Sequence, residues 1–70
     1  MQNDFILSYD LPRELDSVRK RINRDLTSIN AQMIHHSFWK SNNLKELISI
    51  AQFIKNSGGK ARILEEKLIF

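Results

Sequence analysis

Apolar residues recur along this chain with two different periods. Phe5 to Tyr9 is nearly continuous, four of its five positions being apolar or aromatic, which predicts a central strand buried on both sides. From Leu15 the spacing changes to three and four. Leu15, Val18, Ile22, Leu26 and Ile29 fall within a stripe about 80° wide at ~100° per residue. Arg13, Lys20 and Arg24 fall on the opposite face. The spacing predicts a helix from about Pro12 to Ile29. Pro12 lacks an N–H and suits a first helical turn, and Glu14 and Asp16 then sit near the positive end of the helix dipole.

Ala31 to Lys40 is extended in character, dominated by Met33, Ile34, Phe38 and Trp39, with few strong helix formers. Asn42-Asn43 supplies a turn and an N-cap, with Glu46 placed as in a capping box. Leu44, Leu47, Ile48, Ala51 and Ile54 form the apolar face of a second helix, with Phe53 off that stripe. Asn56-Ser57-Gly58-Gly59 ends it, because glycine adopts the left-handed conformation without strain. Lys60 to Phe70 reads as a last strand of imperfect alternation, with Glu65-Glu66 marking a bulge or a departure from the sheet. The predicted class is α+β, a ferredoxin-like βαββαβ domain spanning 1–70, with a small antiparallel sheet and two helices on one face. The second and third strands are expected to be short, or merged into one bent strand.

Seventy residues bury only ~60% of the unfolded chain's surface, and a core of this size supplies roughly 3–5 kcal/mol. Cysteine is absent, so neither disulfides nor zinc-finger spacings can reinforce the fold. Pairing with a second copy is the remaining route to more buried area, and a homodimer is expected. The lack of cysteine fits a reducing cytoplasm. No apolar run approaches the ~20 residues of a membrane span, and the first residues lack the pattern of a signal peptide. No membrane association is therefore expected. A net charge of +3 is a mild bias toward anions.

An apolar strand ending in Tyr9-Asp10-Leu11-Pro12, a basic-faced helix and then Ser37-Phe38-Trp39 together resemble the CRISPR-associated protein two superfamily. Members of that superfamily carry a strand ending in Tyr-Asp followed by Ile or Leu, and a Gln-x-Ser-Val-Phe segment further on. The phenylacetate-operon repressors, which carry a related Ser-Val-Trp, and virulence-associated protein D share the arrangement. His35 and Phe38 stand here for the family's glutamine and valine, and Asn30 stands near its usual glycine. The resemblance implies a ferredoxin-like homodimer in antiviral defence, with Asp10 of each subunit near the dimer axis. It also implies that the C-terminal strand pairs with the other subunit's sheet, making Leu68, Ile69 and Phe70 interface residues.

Asp10 admits two readings. As a metal ligand and catalytic carboxylate, a pair of Asp10 side chains would hold Mg²⁺, which prefers oxygen and needs few carboxylates, and would make the protein a metal-dependent endonuclease. Alternatively, Asp10 caps the first helix or the Asp-Leu-Pro turn. Glu65 and Glu66 would either add carboxylates to that site or protect an edge strand. His35 and His36, adjacent on a strand, would point to opposite faces and not chelate one ion. Ser37 has no partners for nucleophilic catalysis. Arg13, Lys20 and Arg24 would contact the phosphates of RNA or DNA, or form a solvated face. Phe38 and Trp39 would stack on bases, although a core this small is expected to bury at least one of them. No phosphate loop, dinucleotide motif or metalloprotease motif is present. The leading expectation is an architectural or nucleic-acid-handling dimer. The alternatives are the endonuclease and a regulatory or toxin-like dimer that meets a protein partner through Phe53 and Leu68 to Phe70.

Overall fold

A computed structural model describes residues 4–65. Strand β1 (Phe5–Asp10) leads through a 3₁₀ turn (Arg13–Leu15) into helix α1 (Asp16–Ser28). A hairpin of β2 (Gln32–His35) and β3 (Phe38–Ser41), helix α2 (Leu44–Asn56) and strand β4 (Lys60–Glu65) follow. The strands form one sheet in the order β2-β3-β1-β4, every neighbouring pair antiparallel. This is the ferredoxin-like α+β arrangement, with β1 central. The extended segment is two strands rather than one.

The core lies between the sheet and the helices. Leu7, Tyr9 and Trp39 from the strands meet Ile22 and Leu26 of α1 and Leu47, Ile50, Ala51 and Ile54 of α2. Tyr9 is buried, and its hydroxyl donates to Oδ1 of Asn23 at 3.1 Å. Strand β1 and helix α1 are thus tied by a polar contact as well as by packing.

Helix α1 starts later than its periodicity suggests. Pro12 is extended, with φ −59° and ψ 152°, and the α-helix begins only after the 3₁₀ turn. Neither segment has a side-chain cap, so Asp10 does not cap α1. Helix α2 is capped as expected, the Glu46 N–H donating to Oδ1 of Asn43 at 3.2 Å. The Asn43 N–H donates to Oγ of the buried Ser41 at 3.0 Å, a role that the capping box would have given to Glu46.

The buried stripe of α2 is Leu47, Ile50, Ala51 and Ile54, rotated by about 50° from the expected Leu44-Leu47-Ile48-Ala51-Ile54 face. Helix α1 lies on the Ile50 side, where Ile29, Ile50 and Phe53 line the seam between the helices. Among the described residues no strand lies beyond β4 to cover the other side, and Ile48 is 51% exposed. Phe53 is therefore half-buried in the seam, with the Arg21 guanidinium 4.5 Å from its ring centroid, and is not an outward contact residue.

A bulge interrupts β2 between Met33 and His35, and whether the strand bulges or leaves its sheet at Glu65-Glu66 turns on a residue outside the described ones. Strand β4 keeps regular register through Glu65. Glu66 and the expected interface residues Leu68, Ile69 and Phe70 lie outside the described residues.

Candidate nucleic-acid interface

The Asp10 tip is fixed by its neighbours in the chain. Leu11 turns into the core, and the backbone of Gly59 passes directly over it. A Cβ on Gly59 would lie 2.6 Å from Cδ2 of Leu11, 2.8 Å from the Asp10 carbonyl oxygen and 2.9 Å from Cγ2 of Ile54, so only glycine fits. The Asp10 carboxylate is left exposed beside a shallow cleft of about 200 Å³ lined by Ser8, Tyr9, Lys60, Ala61 and Arg62. Asp10 opposes Lys60 across the strands.

Glu65 does not join this site. It opposes Phe5 at the other end of β1, five residues and about 17 Å away. Among the described residues no group of three or more His, Asp or Glu side chains is placed to hold a metal ion. Among the described residues this tip therefore offers a cation a single carboxylate, Asp10, flanked by Lys60 and Arg62, which by itself is a poor donor set for Mg²⁺. A second carboxylate would have to come from beyond the described residues, such as the Asp10 of another protomer.

Arg13 stands on the 3₁₀ turn, and Lys20 and Arg24 stand on the solvent side of α1, all exposed. Lys20 pairs with Asp16 at 3.6 Å, both side chains being largely solvated, so the contact is weak. These three cations form one surface, on the helical layer and away from the sheet.

Among the described residues no helix lies on the opposite side of the sheet. Strand register arranges its side chains in rows. Gln32, Lys40, Ile6 and Leu64 make one, and His35, Phe38, Ser8 and Arg62 the next. Asp10 and Lys60 begin a third. Phe38 is 44% exposed, whereas the adjacent Trp39 is buried, as strand alternation requires. The ring centroids of Phe38 and His35 are 5.9 Å apart. His36 lies in the hairpin turn rather than on the strand, so its ring meets His35 edge-on at 5.5 Å instead of facing away. Lys40 pairs with Asp4 at 3.6 Å at the margin of this face.

Sequence reasoning found Phe38 but not Lys40, Lys60 and Arg62, since their convergence depends on the pairing of three separate strands. Among the described residues no helix is long and apolar enough to cross a membrane. No protein-family model matches the chain, and no curated protein matches it in sequence.

Proposed function

We propose that this chain is a homodimeric nucleic-acid-handling module, of the kind that its Tyr9-Asp10-Leu11-Pro12 and Ser37-Phe38-Trp39 segments resemble, and that it works by binding. The observation that carries this reading is the placement of its cations. Arg13, Lys20 and Arg24 line the outside of the helical layer, and Lys60 and Arg62 stand exposed on the sheet. Each phosphate that such a side chain neutralises releases condensed counterions, so affinity comes from charge before any base is read. Bond cleavage is not part of the proposal: among the described residues Asp10 has no second carboxylate beside it.

Fluorescence anisotropy of labelled RNA and DNA across a salt series tests it. Affinity is expected to fall linearly with the logarithm of salt concentration. Absence of salt-sensitive binding to either nucleic acid would overturn the proposal in favour of a protein-interacting dimer. Sedimentation at high protein concentration tests the dimer separately, and a stable monomer there would remove that part alone.

A further inference from the structure

Resting on the dimer reading above, we infer that the Asp10 tips of two protomers are joined by ion pairs, Asp10 of each to Arg62 of the other, and that no divalent cation is needed between them.

The tip is rigid and carries both signs of charge. Gly59 lies against the Asp10 carbonyl and Leu11 is sunk in the core, so the backbone that presents Asp10 cannot swing. Lys60 stands opposite Asp10 on β4, and Arg62 follows two residues on, opposite Ser8. Strand alternation puts Asp10, Lys60 and Arg62 on the sheet face opposite the helices, and all three are exposed. Among the described residues none of the three has an ion-pair partner within the chain. One carboxylate and two cations are thus fixed at one end of the sheet, their charges met only by solvent.

A two-fold contact is isologous, so the patch that makes it must complement itself. This tip does. Asp10 and Arg62 lie one strand and two residues apart, about 8 Å. A two-fold axis between two facing sheets, passing midway between these residues, sets Asp10 over Arg62 of the second copy and Arg62 over its Asp10. Arginine suits the role better than Lys60 does. Its planar fork takes both carboxylate oxygens, and it gives up hydration more readily than an ammonium group. Lys60 and the cations of the helical layer are left for phosphate.

A shared Mg²⁺ asks for a different arrangement. With metal–oxygen distances near 2.1 Å, the two carboxylates would have to converge to within ~4 Å. They would repel each other, and the ion would sit among the Lys60 and Arg62 side chains of both copies. Cross-pairing keeps the carboxylates about 8 Å apart and gives each an opposite charge.

Sedimentation velocity of the full chain over a concentration series, in EDTA and in excess Mg²⁺, tests this. The wild type is expected to dimerise equally in both, and less tightly as salt rises. Asp10→Arg and Arg62→Asp are each expected to weaken the dimer about 10-fold or more. Combined in one chain they exchange the charges, and most of the lost affinity is expected to return. Far-ultraviolet dichroism checks that each variant is folded. Asp10→Asn and Arg62→Gln, which remove each charge without reversing it, are expected to weaken the dimer less and serve where a reversal misfolds.

A wild-type dimer that forms only in Mg²⁺ would overturn the inference, as would a double variant no tighter than its folded single parents. Single variants that dimerise like the wild type would overturn it too. In each of these cases the dimer reading stands. A wild type that stays monomeric in every condition would overturn both, while nucleic-acid binding is still decided by the salt series.

Discussion

The two faces of this sheet are built from alternate residues of the same strands, yet they have opposite fates. On one face Leu7, Tyr9, Trp39 and Ile63 pack against the helices. One position along each strand, Ile6, Ser8, Phe38 and Arg62 stand on a face that no described helix covers. Strand alternation alone makes this division. Among the described residues, the covered face contains two strand-borne polar groups with structural partners, the Tyr9 hydroxyl, which donates to Asn23, and the Ser41 hydroxyl, which accepts from the Asn43 N–H. The open face mixes apolar, aromatic and charged side chains in rows. Such a mixture builds no core. The comparison teaches that burial and exposure are separated here by single-residue steps, so a side chain on one face can be altered with little effect on the other.

The sharpest way to break the comparison is on the covered face. Leu7 is fully buried at the centre of the sheet, and Leu7→Ala is expected to cost about 2–5 kcal/mol. That is comparable to the roughly 3–5 kcal/mol a core of this size supplies, so the variant should be largely unfolded by dichroism at room temperature. A cooperative transition near that of the wild type would show that the described core is not what holds the chain together. Gly59→Ala should follow, at about 1–3 kcal/mol. Its Cβ would strike the Asp10 carbonyl as well as two core side chains, and backbone cannot rotate away as a side chain can. Urea denaturation of the purified variant measures it. A cost below experimental error would mean that the Asp10 tip is not pinned in this way.

Asn43→Ala should cost about 1 kcal/mol by removing the acceptor for the Glu46 N–H. A thermal melt that matches the wild type would show that Ser41 and the turn fix the start of α2 without it.

Much of the fold was legible because its signals are local. The stripe from Leu15 to Ile29, the Asn43 cap and the Gly58-Gly59 stop each depend on residues within a few positions of one another. Gly58 adopts φ 101°, as the stop requires. The hairpin was less legible: every residue of β2 is exposed, so it shows no alternation between core and solvent. The orientation of α2 was also hidden, since its own stripe admits either Ile48 or Ile50, and α1 covers the Ile50 side. For the candidate site, the Phe38-Trp39 pair announces one inward and one outward aromatic. The grouping of Lys40, Arg62 and His35 with Phe38 follows only from register, which no short segment encodes. The same is true of Glu65, whose distance from Asp10 is set entirely by how β4 pairs with β1.

The smallest stability effect is the most informative for the comparison. Phe38→Ala removes a larger side chain than Leu7→Ala does, and by volume alone it should be the more damaging. If the two faces differ as described, it is the reverse. The ring of Phe38 touches His35 across the hairpin and is otherwise half in water, so its removal forfeits a cross-strand contact of about 0.2–1 kcal/mol and leaves no enclosed cavity. The expected urea midpoint therefore lies close to that of the wild type, with an unchanged slope because the surface exposed on unfolding barely changes. A cost above about 2 kcal/mol, or a changed slope, would mean that Phe38 is buried in solution by something the single chain does not supply, such as a second copy. In that case repeating the measurement at several protein concentrations settles the cause, since stability gained from association rises with concentration and stability gained within one chain does not.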